Sequence, residues 1–75
     1  MAKESVSYTI NESIAVLSTT EAGWTKELNM ITWGENIPKY DIRSWSPDHS
    51  KMTKGITLSA EELFKLIDAM QSRTE

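Results

Sequence analysis

The sequence predicts an α+β domain in which a four-stranded antiparallel sheet is followed by one C-terminal helix, all within a single unit of 75 residues. Three observations lead there. From Val6 to Leu58 the chain is rich in Ile, Val, Thr, Tyr and Trp, with turn residues at short intervals, the mark of successive strands. Apolar and polar residues alternate along KYDIRSW, the period of a pleated strand. After Ser59 the apolar period becomes helical and stays so to Met70.

The first strand is SYTINESIAVLSTT, where Ile14, Ala15, Val16 and Leu17 crowd together as in a strand covered on both faces, and Asn11 to Ser13 form a bulge or turn. Glu21, Ala22 and Gly23 turn the chain into a second strand, WTKELNMITW, with Trp24 at a sheet edge or dimer seam. Gly34, Glu35 and Asn36 turn it again. Pro38 opens the third strand, which sets Tyr40 and Ile42 on one face and Lys39, Asp41, Arg43 and Trp45 on the other. A polar loop runs from Ser46 to Thr53. The fourth strand is KGITL, with Ile56 and Leu58 on a common face. Ser59 and Glu62 then form a capping box, and Glu61 and Glu62 lie where the helix dipole favours acids. Leu63, Leu66, Ile67 and Met70 make the helix's apolar stripe, widened by Ala60 and Phe64, while Lys65, Asp68 and Arg73 lie outside it. That stripe predicts a core-packed helix whose apolar face continues into a partner helix.

Size and composition bound what such a domain does. A chain this short buries roughly 60% of its surface, and with no cysteine and a single histidine it has neither disulfides nor a metal cluster to reinforce it. A homodimer is therefore expected, with Leu63, Leu66, Ile67 and Met70 at the interface. His49 lies beside Asp48 in a turn without a nucleophile or an oxyanion site, and no glycine-rich phosphate loop is present, so the protein is not expected to be an enzyme. No cofactor, metal or small-molecule substrate is called for. The absence of an 18-residue apolar run and of a signal-peptide layout in MAKESVSYTI points to a cytoplasmic chain that makes no membrane contact. The net charge of −3 is unevenly spread: Trp24 to Leu58 carries five cations against four acids, and the excess acid sits at the two ends.

One helix covers one face of a sheet and leaves the other open. On that open face the third strand would carry Trp45 beside Arg43 and Lys39, and an aromatic flanked by cations suits single-stranded nucleic acid, whose bases stack while its phosphates attract lysine and arginine. The aromatic candidates are Trp33 and Trp45, and the cationic ones Lys26, Lys39, Arg43, Lys51 and Lys54. The plainer alternatives stay open: tryptophans in the core, Lys39 and Arg43 paired across strands with Glu27 or Glu35, and Lys54-Gly55 as a strand's entry turn.

The stretch KYDIRSWSPDHSKMTKGITLSAEEL resembles the positive-cofactor-four family of transcriptional coactivators, and most closely its small bacterial YdbC-type members. The resemblance rests on Asp41-Ile42-Arg43, an aromatic at Trp45, Lys54-Gly55-Ile56 and a strand leading straight into a helix with an acidic first turn, and it covers roughly Lys26 to Met70. It implies a curved sheet, a dimer and grooves for single-stranded DNA. It further implies phosphate contacts at Arg43 and Lys54, stacking at Trp45, a second aromatic near Trp33 and a basic position near Lys26. The Ser46 to Thr53 loop is shorter than in the eukaryotic members. Thr53, Gly34 and Glu35 stand where those members are basic, which implies weaker phosphate attraction and a smaller salt dependence. RNA as the ligand, and a protein-interaction module that uses the aromatic face, are the alternative functions.

Overall fold

The computed structural model describes residues 7–73; residues 1–6, which hold the head of the MAKESVSYTI stretch expected to be no signal peptide and the start of the β-rich segment, and residues 74–75 lie outside them. Four strands, β1 (Tyr8–Thr19), β2 (Thr25–Trp33), β3 (Lys39–Trp45) and β4 (Ile56–Leu58), form one antiparallel sheet in the order β1-β2-β3-β4, and α1 (Ala60–Arg73) closes the chain. The element order matches the expectation. The fourth strand is shorter, because Lys54 and Gly55 lie in the approach to it. No helix among the described residues is long and apolar enough to cross a membrane.

Strong curvature shapes the sheet. β1 has twelve residues facing the nine of β2, and the surplus is taken up by three register slips, between Ile10 and Glu12, Ser13 and Ala15, and Val16 and Ser18. Each slip leaves one β1 residue unpaired (Asn11, Ile14 and Leu17), and such bulges bend a strand and raise its twist. The effect can be read from the aromatic contacts. Tyr8 pairs with Trp33 at one end of β2, whereas Trp45 pairs with Thr25 at the other, so a flat strand would hold them roughly 26 Å apart. Yet the Tyr8 and Trp45 rings lie 5.8 Å apart by centroid. The sheet curls until its two ends meet across the concave side.

Which face is buried departs from expectation. The β2–β3 register sets Glu27, Asn29 and Ile31 on one face with Lys39, Asp41, Arg43 and Trp45, as the alternation predicts. That face is the packed one. Ile31, Trp45 and Asp41 have no exposed surface, and Asn29 has 1%. Trp45 is therefore a core residue and not an exposed platform, because the curled sheet, Tyr8 and the 46–53 loop enclose it. The opposite face, with Leu28, Met30, Tyr40 and Ile42, is only partly buried.

The helix departs from expectation too. Its start is fixed by the capping box: Glu62 N–H donates to Ser59 Oγ at 3.1 Å and Ser59 N–H to Glu62 Oε1 at 2.9 Å. No residue of α1 is buried, however, and Phe64, Leu66, Ile67 and Met70 keep 59, 49, 45 and 57% of their surface exposed. Leu63 is half-buried. The apolar stripe exists, but within one chain it is not a core face. Nor are Ile14, Val16 and Leu17 of β1 covered on both faces; all three are exposed, carried outward by the bulged strand.

Gly55 sets the approach of β4 to β3. A Cβ at that position would overlap the Ile42 carbonyl oxygen and the Arg43 side chain. Gly55→Ala is expected to destabilise the domain by about 1–3 kcal/mol, the range for overpacking a tight contact, read as a lower denaturant midpoint at unchanged slope.

Candidate nucleic-acid interface

Arg43 is the most heavily engaged side chain of the concave face. Its Nε and Nη2 donate to the two carboxylate oxygens of Asp41 at 2.7 and 2.8 Å, and Thr57 Oγ1 donates to Asp41 Oδ2 at 3.3 Å. Nη1 donates to the Thr53 carbonyl at 3.3 Å and contacts Met52 Sδ at 3.5 Å. The guanidinium carbon lies 4.7 Å from the centre of the Trp33 ring, a cation–π arrangement. Arg43 thus pairs along its own strand with Asp41, not across to Glu27 or Glu35. With 13% of its side chain exposed, it holds Trp33 and the 46–53 loop in place and is not a free phosphate contact.

Two linked ring systems result. Trp33, half-buried, lies between Arg43 and Tyr8, with the tyrosine ring 5.4 Å away and tilted by 43°. Tyr8 leads on to the enclosed Trp45, and His49 stacks on Trp45 at 5.5 Å and 24°. The Nε1 groups of Trp33 and Trp45 are buried without an acceptor among the described residues.

Of the expected cations, the structure gathers Lys26, Arg43 and Lys54 around one open groove of about 420 Å³, which Ser44 and Thr53 also line. Lys26 and Lys54 are exposed there. Lys39 lies elsewhere, paired in register with Ile31 towards the far end of β2, and Lys51 borders a separate hollow beside Trp24 and Pro47. Both are exposed, but neither joins the groove. The groove therefore unites three of the seven nucleic-acid positions, and Trp33 touches one of those three.

Glu27 was named in the sequence only as a possible ion-pair partner, yet it organises the floor of the concave face. Its carboxylate accepts hydrogen bonds from Thr25 Oγ1, from Asn29 Nδ2 at 3.1 Å and from His49 Nε2 at 2.8 Å. Burial raises its pKa, but the hydrogen bonds from Thr25, Asn29 and His49, with the charge of His49, outweigh that and hold it below its ordinary 4.5. His49 reaches it from the loop with a backbone φ of 60°, in the left-handed region that among residues other than glycine is entered mostly by asparagine, aspartate and histidine. The signal was present in the sequence as Glu27-x-Asn29 facing Asp41-x-Arg43, legible once the two strands are paired in register.

Asp48 fixes the same loop. The Ser50 N–H donates to its Oδ1 at 2.9 Å and Ser46 Oγ at 3.0 Å, and these bonds lower its pKa from 3.8 to about 2. Both carboxylates thus bind protons more weakly in the folded protein than in the unfolded chain. Their contribution to stability is complete above the unfolded values of 4.5 and 3.8 and is lost as the pH falls through the folded ones. The melting temperature should fall steadily on acidification below about pH 4.5, and Asp48→Asn should flatten the most acidic part of that curve, as followed by tryptophan fluorescence.

Comparison with known proteins agrees with the geometry. The family model described as transcriptional coactivator p15 (PC4) matches residues 20–69, two thirds of the chain, from the β1–β2 turn through most of α1. A protein of Treponema pallidum (strain Nichols), described as uncharacterized, is 46% identical over 65 residues, covering 87% of this chain and 76% of that protein. The curled four-stranded sheet, the Asp41–Arg43 pair beneath an aromatic, the Gly55 contact and the capped helix thus occur in a chain that belongs to the transcriptional coactivator p15 (PC4) family.

Proposed function

We propose that the protein binds single-stranded DNA as a homodimer, with little sequence preference arising from its stacking contacts, and that its role is binding without turnover. Family membership points to nucleic acid. The observation that carries the finer reading is Trp33, a half-buried indole backed by the Arg43 guanidinium and Tyr8, because the same Arg43 also lines the groove edged by Lys26 and Lys54. An aromatic held by its neighbours loses little freedom when a base stacks on it, and such stacking is worth about 1–3 kcal/mol per base. Paired bases cannot offer their faces, so duplex is disfavoured.

The roles divide accordingly. Trp33 is the stacking surface in this reading, and Lys26 and Lys54 hold the phosphates, with Lys39 and Lys51 as outlying contacts. Arg43 positions the indole. Trp45 supports the platform from within the core. The second copy covers the exposed apolar face of Leu66, Ile67 and Met70 with Phe64, together with the adjoining open groove of about 480 Å³ bordered by Ile56, Leu58 and Leu66. Contiguous apolar surface of this kind on so small a domain marks an association site.

Trp33→Ala should weaken oligo(dT) binding by on the order of tenfold to a hundredfold while the thermal melt persists, and quenching of tryptophan emission should be specific to the single strand in the unmodified protein. Lys54→Ala should reduce the slope of log affinity against log salt by about 0.7, the value for one phosphate of a single strand. An unchanged affinity in the first variant would remove Trp33 from the mechanism. Ile67→Glu should convert the dimer to monomer in sedimentation velocity; a chain that sediments as a monomer before substitution would overturn the dimeric reading.

A further inference from the structure

On the same face of β2 as Trp33 lies a second cleft, of about 320 Å³, which the stacking mechanism does not use. One wall is the bulged run from Ser13 to Val16 of β1; the floor is Glu27 and Asn29 of β2; His49 closes the far side. The hydrogen-bonding capacity of this cleft is lopsided. The Asn29 amide is oriented by its neighbour: a carboxylate only accepts, so the nitrogen faces Glu27 and Oδ1 is left over. Asn29 is 1% exposed, and its Oδ1 is buried with no donor among the described residues. The Glu27 carboxylate accepts three hydrogen bonds and has capacity for about one more. The floor therefore leaves acceptors open, at Asn29 Oδ1 and at one lone pair of Glu27.

The position of the cleft ties it to the platform. Glu27 is the cross-strand partner of Arg43, and the Arg43 guanidinium lies against the Trp33 ring. A strand with one base on Trp33 that followed β2 towards Glu27 would pass the cleft. We infer that the Glu27–Asn29–His49 cleft is a nucleobase subsite that selects a base bearing an exocyclic amino group over thymine, cytosine and adenine being the bases that test it. This rests on the single-strand reading above and adds a preference to it. An amino group donates to Asn29 Oδ1 and to the remaining lone pair of Glu27, in the way a carboxylate accepts from cytosine N4 in base readout. Thymine offers one ring N–H between two carbonyl oxygens, and those oxygens would face the acceptors of the floor. The run from Ser13 to Val16 can yield to a base edge more readily than a regular strand, because Ile14 is unpaired. The cost of leaving Oδ1 without a partner in the free protein is recovered when a donor reaches it.

The test is a competition titration of the full chain with oligo(dT), oligo(dC) and oligo(dA) of equal length, together with the NMR side-chain amide resonance of Asn29. The expected result is that oligo(dC) or oligo(dA) binds about tenfold more tightly than oligo(dT), and that the Asn29 amide shifts with those strands and not with oligo(dT). Asn29→Ala should bring the three strands to within about twofold of one another. Equal affinities in the unmodified protein, or a preference for oligo(dT), would overturn the subsite and leave the single-strand reading standing. A preference without any movement of the Asn29 resonance, or one that persists in Asn29→Ala, would place the selectivity elsewhere. Failure of all three strands to bind would overturn the single-strand reading itself, and the subsite with it.

Discussion

Asp41 has no surface in water, and a carboxylate so placed is tolerable only because Arg43 meets both of its oxygens and Thr57 supplies a further donor. Much of the concave side depends on that pair. The same guanidinium carries the Trp33 ring on its face and anchors the Thr53 carbonyl, so one side chain joins β3, the end of β2 and the loop before β4. Buried ion pairs of this kind contribute little net stability against a hydrophobic replacement, but loss of one member strands the other charge and costs several kcal/mol. The arrangement reads best as a device for geometry: it fixes where the indole stands.

The polar interior has a counterpart in an apolar exterior. Within one chain the fully buried hydrophobic core is small, with Ile31 and Trp45 enclosed and Leu58 nearly so, while the helix keeps its whole stripe uncovered. A domain of this size has little stability to spare, so covering that stripe in an assembly would contribute to folding as well as to association. Folding and dimerisation are then two readings of one equilibrium in the proposed assembly, and the sheet's binding face would depend on protein concentration through it.

Much of this architecture was legible from the residues. The order of the elements, the capping box at Ser59 and Glu62, and the opposite facing of Ile42 and Arg43 all follow from local chemistry and the two-residue period of a strand. What the period does not reveal is which of two faces becomes the inside. A helix read as the mark of the core side puts Trp45 and Asp41 in solvent. The structure encloses both, because three bulges in β1 curl the sheet towards the side away from the apolar one. Those bulges had only a partial signal at Asn11 to Ser13. Glu27 and Asn29 were missed as a functional cluster for a related reason: their meaning depends on cross-strand register and on a histidine delivered by a loop twenty-two residues away.

The bulges also bear on how the molecule avoids its own kind. β1 is an outer strand, and an outer strand with an even row of free amides and carbonyls is a template for another chain. Here the row is broken at Asn11, Ile14 and Leu17, every third residue, so no incoming strand can follow it for long. Exposed Ile14, Val16 and Leu17 would otherwise make this segment adhesive. The irregularity that curls the sheet thus also keeps an apolar edge from growing into a fibre.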